Sequence, residues 1–395
     1  MSVTAPLGFR AAAVAAGIKP EDQADLALLV ADRPCAAAGV FTANRAQAAP
    51  VLVSREHLAG GRARAVVVNA GCANAATGAR GLADAREMAA LSAAALGCAA
   101  TEVVVASTGV IGVHLPMEKV RAGIAAAAAG LSADGGAAAA RAIMTTDTKP
   151  KEVTVEFAVG GKAGRVGGMA KGAGMIAPNM ATLLAFFTTD ASLEASLLRR
   201  ALSQAVGEGL NRISVDGDTS TNDTAVVMAS GALDAPPILR EGPDYDAFRR
   251  ALTAASQALA RMIVRDGEGA SRMAEVSVEG AVSAAEADRV ARTIAESPLV
   301  KTALHGGDPN WGRILAAAGR AGVAIDPDRV GIWIGDVWVA ERGQAREYSE
   351  AEAHVAMTAD PVRIRVDLGQ GTSSGWMWTC DLTSGYIDIN AHYRS

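Results

Sequence analysis

Aromatic side chains make up only 4% of the 395 residues. The core must therefore be assembled from small and aliphatic side chains, which lets helices and strands approach closely. Cysteine is rarer still. Cys35, Cys72, Cys98 and Cys380 lie far apart with no CxxC pair, which argues against a thiolate metal site or a redox couple and leaves reduced thiols as the expectation. The histidines, His57, His114, His305, His354 and His392, show no HExxH or HxH spacing, so no metal is expected. There is no run of basic residues, and the net charge is −5 with a pI near 5.7. That pattern excludes nucleic acid and anionic membrane surfaces as expected partners. No apolar stretch approaches the roughly 20 residues that a spanning helix needs. The N-terminus, MSVTAPLGFRAAAVAAGIKP, lacks the basic start and long apolar run of a signal peptide. A soluble, cytoplasmic protein is expected.

What is present is alternation. Arg64–Asn69 and Glu102–Ala106 are short β-branched runs of the kind buried strands require. Between them, Leu82–Leu96 is rich in alanine and leucine, with Gly97 placed as a helix stop. A second helix is expected from Pro116 to near Gly130. These alternations read as an α/β architecture. Val153–Val159 and Thr182–Thr188 read as strands, and Ser192 is placed to cap a helix with Leu193, Leu197, Leu198, Leu202 and Val206 on one face. Phe248, Leu252, Leu259 and Ile263 mark another helix, ending at Arg265-Asp266-Gly267. The character changes after about Gly280. Val330–Val339 alternates around Trp333 and Trp338, Val362–Leu368 reads VRIRVDL, and Trp376, Trp378 and Cys380 fall on one strand face. Residues 1–280 are therefore expected to form the main α/β body, and 281–395 a smaller, strand-rich α+β domain.

The most informative stretch is KGAGMIAPNMATLLAFFTTD, residues 171–190. A glycine-rich loop holding Lys171 runs into an Ala181-Thr182 step. A threonine held in a tight bend can attack the preceding carbonyl and split the chain, and the new terminal amine can then serve as base to the hydroxyl nucleophile. Read alone, Ala181-Thr182 is a strand start. Ser107-Thr108-Gly109 follows a strand directly, where the Thr108 hydroxyl and the Gly109 N–H are placed to stabilise an oxyanion. Lys171 is followed by Gly172 rather than by serine or threonine, so the phosphate-loop pattern is not met. It is better placed to reach a substrate carboxylate. Asp216–Asp223 has the acidic spacing of a calcium loop, but Thr221 stands at the sixth position and Val227 at the twelfth, against metal binding. A hydrogen-bonded turn that buttresses the site is the better reading. Glu268, between two glycines at a helix end, is placed to pair with a cationic amine. Gly307–Arg313 is a turn expected to cap a helix.

Taken in order, VTAPLGFRAAAVAAGIK, STGVIG, TTDTKPK, GGMAKGAGMIAPNMATLL, ISVDGDTSTNDT, IVRDGEGASR, DPNWGRILAA and CDLTSGYIDINAHYRS resemble the ornithine acetyltransferase (ArgJ) family over nearly the whole chain. The resemblance implies a layered α-β-β-α catalytic body. It also implies self-cleavage between Ala181 and Thr182 into an α chain, 1–181, and a β chain from 182. Thr182 would be the nucleophile, with Thr108 and Gly109 as the oxyanion site. Substrate contacts carry over to Thr145, Lys171, Thr182, Glu268, Asn390 and Ser395, the last standing where family members usually end in threonine. The implied reaction moves acetyl from N2-acetylornithine to glutamate through an acetyl-Thr182 intermediate, without a cofactor. Acetyl-CoA is left open as a further acetyl donor. Paired αβ units, α2β2, are the implied assembly. The rival within the same chemistry is a self-cleaving amidase or aminopeptidase that delivers the acyl group to water.

Overall fold

The computed structural model describes residues 2–20, 23–177 and 183–392. They fall into two compact units. The first takes the chain up to Asn211 together with Asp218–Ile263, and the second takes Arg212–Gly217 and the chain from Val264 onward.

The first unit is built on β1 (Phe9–Val14), β2 (Leu26–Phe41), β3 (Arg62–Cys72), β4 (Val103–Val110), β5 (Lys151–Val159), β6 (Lys162–Lys171) and β7 (Leu184–Thr189). Strand β8 (Ile213–Ser214) belongs to the second unit, and β9 (Thr224–Ala229) returns to the first. The order is β4-β3-β2-β9-β7-β6-β5, with β1 also paired to β2. Strand β2 is shared along its length. Its first half, Leu26–Val30, pairs with β1 and β3, and its second half, Ala36–Phe41, pairs with β9. The β2–β3 register breaks between Val30 and Cys35, where Pro34 has no N–H to give to a ladder. The sheet turns there, and its two halves pack face to face.

The alternation of side chains records this. Ala27, Leu29, Val66, Val68, Val104 and Ala106 point inward and meet Met169, Leu184, Phe186, Val226 and Met228 from the other half. Their neighbours Leu28, Val30, Ala65, Val67, Val103 and Val105 point outward, against Met88 and Ala89 of helix Gly78–Leu96 and Val120 and Ile124 of helix Met117–Ala129. Strands covered on both faces read as unbroken apolar runs such as VVV, without polar alternation. Beyond the other half lies helix Pro243–Arg265, with Phe248 edge-on to Phe157 of β5 at 5.6 Å. The result is the α-β-β-α layering.

The second unit has a sheet of β8, β10 (Met273–Ala281), β11 (Gly331–Ile334), β12 (Val337–Glu341), β13 (Gln344–Ala345), β14 (Val362–Asp367) and β15 (Ser373–Cys380), in the order β13-β12-β11-β14-β10-β15-β8. One face, with Val276, Ile332, Ile364 and Met377, packs on helices Ala284–Ala295 and Trp311–Gly319. The opposite face carries stacked Trp333 and Trp338, with ring centroids 5.1 Å apart, and Trp376 beside Trp378 at 4.4 Å.

Three sequence expectations shift. The units divide at Val264 rather than near 280, because β10 lies between β14 and β15 in the second sheet. Helix Ala195–Glu208 is capped by the Glu194 side chain, which accepts from the N–H groups of Ser196 and Leu197, so Ser192 and Leu193 precede it. The stretch 330–339 is a hairpin, turned at left-handed Gly335 (φ 57°). Helix Trp311–Gly319 is capped by Asn310, which accepts from Arg313 N–H, as the turn reading expects.

Phe186 is 1% exposed, between the two sheet halves. Phe186→Ala should lower unfolding stability by about 3–5 kcal/mol. A denaturant midpoint unchanged from wild type would show that the two halves do not share this core.

Candidate functional site

Thr182 and Ala181, the expected nucleophile and the residue before the expected cut, and Ser395 lie outside the described residues. The surroundings that the first unit builds can be followed residue by residue.

Thr108 and Gly109 end β4, half-buried, next to the parallel end of β3. Gly109 pairs with Gly71 and has φ 127°. A Cβ there would lie 2.4 Å from the Gly71 carbonyl carbon, so both conformation and space demand glycine. The strand end is tied from behind. Ser107 Oγ donates to Asn69 Oδ1 at 2.6 Å, and Asn69 Nδ2 donates to the Cys72 carbonyl at 2.8 Å. Asn222 Nδ2 donates to the carbonyls of Ala73 (2.6 Å) and Ser107 (2.9 Å), bridging the ends of β3 and β4.

Lys171 closes β6 and is 8% exposed. Its Nζ donates to Thr145 Oγ1 at 2.6 Å and stands 3.8 Å from Asp147 Oδ2. The structure thus brings together Thr145 and Lys171, and adds a residue that sequence reasoning missed. The Asp147 side chain is fully buried. It receives Lys151 Nζ at 2.7 Å, Gly172 N–H at 2.6 Å and Thr145 N–H at 3.0 Å. Burial pushes its carboxyl upward, but Lys171, Lys151 and the Gly172 N–H outweigh burial and hold it below the usual carboxylate range. From Gly172 the chain runs through left-handed Met175 (φ 55°) toward residue 177, a conformation non-glycine residues rarely adopt.

Lys19 links the two groups. Its Nζ donates to the carbonyls of Ala24 (3.1 Å) and Ala142 (3.2 Å), and its Cγ would meet a Cβ on Gly71 at 3.2 Å. Burial lowers its pKa, and Lys171 lowers it further against the pull of Asp25 and Asp147. Asp25, Asp147 and Lys171 act on Lys19, and Lys151 and Lys171 act on Asp147.

The acidic turn serves as the buttress its composition suggests. Thr219 pairs with Ile176 and donates to the Ala177 carbonyl at 3.0 Å. Thr42 Oγ1 donates to the Ser220 carbonyl at 2.8 Å. Asp223 is 1% exposed. Among the described residues no group of His, Cys, Asp and Glu is arranged to hold a metal.

In the second unit Glu268 is 8% exposed and accepts Asn390 Nδ2 at 2.8 Å, so these two expected contacts also meet. The loop that carries Glu268 is held by Asp381, which accepts the N–H groups of Ser271 (2.8 Å) and Arg272 (3.0 Å). Thr383 Oγ1 donates to the Gly269 carbonyl at 2.7 Å. Gly269 has φ 68°, and a Cβ there would lie 2.4 Å from Tyr386 N.

Asn69 and Asp147 carried no local sequence signal beyond being short polar residues, whereas Asn222 and Asp223 lie in the acidic turn read as a buttress. Each acts through partners distant in sequence, as with Asn222 on Ser107, 115 residues away.

Residues 10–395 match the model of the ArgJ family. The arginine biosynthesis bifunctional protein ArgJ of Symbiobacterium thermophilum is 49% identical over 395 residues, covering 100% of this chain and 98% of that protein. The protein of the same name from Parasynechococcus marenigrum is 48% identical, covering 100% and 95%. The crystal structure of the arginine biosynthesis bifunctional protein argJ of Bacillus halodurans superposes with a TM-score of 0.51 at 46% identity, over 53% of this chain and 98% of that one. Among the described residues no helix is long and apolar enough to cross a membrane.

Asp147→Ala leaves Lys151 and Lys171 without their shared carboxylate and should cost about 3–5 kcal/mol at neutral pH. The folded carboxyl is held below its unfolded value, so its stabilisation is present above about pH 4 and is lost as pH falls toward the folded value. Chemical denaturation should show wild type and variant converging in acid. A gap constant with pH would contradict the assignment.

Proposed function

Because the chain belongs to the ArgJ family, we propose that it is a self-processing acetyltransferase of arginine biosynthesis that moves acetyl from N2-acetylornithine to glutamate through Thr182. The observation that carries this reading is Lys171. Its buried ammonium is set on Thr145 and beside Asp147, at the strand end that leads into the 172–177 loop. N2-acetylornithine and glutamate share an α-carboxylate, the group such a site would take.

The chain's own groups suffice for the chemistry. In the first step the Thr182 hydroxyl adds to the Ala181 carbonyl. The Ala181–Thr182 C–N bond breaks to leave an ester and a free amine, and water then hydrolyses the ester. The freed α-amine takes the hydroxyl proton when Thr182 next attacks the acetyl carbonyl of N2-acetylornithine. Thr108 hydroxyl and Gly109 N–H stabilise the oxyanion. Ornithine departs with a proton, and the amine of glutamate takes the acetyl group from Thr182 to give N-acetylglutamate. Glu268, held by Asn390, pairs with the side-chain amine of the ornithine moiety, and Ser395 supplies a terminal hydroxyl. No cofactor is called for. Acetyl-CoA would enter only as an alternative donor to the same threonine, and α2β2 is the assembly we assign. Water as final acceptor would make the protein an amidase, and the acceptor preference separates the two readings.

A β chain from 182 to 395 has 214 of the 395 residues, about 54%. The crystallised Bacillus halodurans chain spans 53% of this chain at 98% of its own length, a length that supports the cut. By mass, 181/395 of 40.0 kDa is about 18 kDa, leaving about 22 kDa. Denaturing electrophoresis should show these two bands for wild type and one 40.0 kDa band for Thr182→Ala; two bands from Thr182→Ala would refute self-processing at this bond.

Lys171→Met should lower kcat/KM for N2-acetylornithine by about 10-fold to 100-fold, the worth of a charged hydrogen bond. Steady-state kinetics indistinguishable from wild type would remove Lys171 from the substrate site.

A further inference from the structure

The second unit builds Glu268 into a tied turn. The turn 267–270 is closed by the Ala270 N–H on the Gly267 carbonyl at 2.9 Å. Gly269 stands at its third position with φ 68°, a conformation that turns of this kind reserve for glycine. A Cβ on Gly269 would lie 2.4 Å from Tyr386 N and 2.6 Å from the Gly385 carbonyl carbon. The turn therefore rests directly on the first residues of helix Ser384–His392. Thr383 joins the two. Its hydroxyl donates to the Gly269 carbonyl at 2.7 Å and accepts the Gly385 N–H at 3.0 Å, so one side chain holds the turn and caps the helix. Further along that helix, Asn390 Nδ2 donates to Glu268 Oε2 at 2.8 Å and to the Tyr386 carbonyl at 3.0 Å. Glu268, Gly269, Thr383 and the helix close a ring through Asn390, and the mechanism has given Thr383 no task.

Resting on the reading of Glu268 as partner of the donor's side-chain amine, we propose that Thr383 is a positioning residue for donor specificity. It fixes the Glu268 turn to the helix that carries Asn390, and so fixes the carboxylate that takes the cationic end of N2-acetylornithine. Glu268 is 8% exposed, and the Asn390 amide that meets it is neutral and does not offset its charge. Such a carboxylate takes a cation at least cost when it is already in place, because a loose turn would have to be ordered by the ligand. Asp381 secures the far side of the loop. It accepts the Ser271 and Arg272 N–H groups and gives its own N–H to the Arg272 carbonyl at 3.1 Å. Thr383 secures the near side, at the residue next to Glu268. Glutamate, the acceptor, has no cation in its side chain, so the tie acts on one half of the reaction.

The test separates the two half-reactions. In ping-pong transfer, kcat/KM for each substrate reports on its own half. Thr383→Val keeps the shape and loses the hydroxyl. It should lower kcat/KM for N2-acetylornithine by about fivefold to tenfold, the worth of one hydrogen bond, and leave kcat/KM for glutamate within about twofold. Thr383→Ser keeps the hydroxyl and should stay within about twofold of wild type for both substrates. In a Glu268→Gln background, Thr383→Val should lower kcat/KM for N2-acetylornithine by less than about a further twofold, because the carboxylate through which it acts is gone. A merely structural role would carry its full cost into that background. Should Thr383→Val fail to fold, Thr383→Ala makes the same comparison. Equal losses for both substrates, an undiminished loss in the Glu268→Gln background, or a Thr383→Val that matches wild type while Glu268→Gln is impaired would each overturn the proposal. A Glu268→Gln that matches wild type on N2-acetylornithine would overturn the Glu268 reading, and the proposal with it.

Discussion

One buried carboxylate organises the first unit's site. Asp147 has no solvent of its own, yet it stays ionised because Lys151, Lys171 and the N–H groups of Thr145 and Gly172 surround it. The dependence runs both ways. Without Asp147, two ammonium groups would be buried with too little countercharge, and removing one partner of a buried pair costs far more than the pair contributes. With it, Lys171 is delivered to Thr145 and the 172–177 loop starts from a fixed point.

Around that centre the fold supplies strand ends. The close approach of β3 and β4 needs Gly71 facing Gly109, which places Thr108 at an open strand terminus. The 219–223 segment is bonded to the end of β4, to the 172–177 loop and to Thr42 just past β2. The same sheet that forms the two inner layers thus also holds Thr108, Gly109 and Lys171 at its strand ends. Bending β2 at Pro34 brings β4 and β6 into one unit. In the second unit, Asp381 plays for the Glu268 loop a part like that of Asp147, taking the N–H groups of Ser271 and Arg272.

Much of this was legible in the chain. The VVV runs, the alanine-rich helix before Gly97 and the helix ending at Arg265 follow from periodicity and stop residues, which are local. Thr108, Gly109, Thr145, Lys171, Glu268 and Asn390 came from motifs, and the structure joins Thr145 to Lys171 and Glu268 to Asn390. What the sequence hid is long-range. Asp147 and Lys19 owe their settings to burial and to charges brought close by the fold, and Asn222 to a partner 115 residues away. The helix after Ser192 starts two residues late because Glu194 reaches back to Ser196 and Leu197, a competition between neighbouring caps that composition does not resolve. The unit boundary falls at Val264 because strand pairing, rather than sequence character, decides which sheet β10 joins.

The central claim is that Thr182 carries the acetyl group. Processed protein mixed with N2-acetylornithine alone, then quenched in acid and weighed intact, tests it directly. The C-terminal fragment should gain the mass of one acetyl group, localised to Thr182, and should lose it when glutamate is added as N-acetylglutamate appears. Transfer to glutamate at the usual rate from a fragment that never gains that mass would contradict the account.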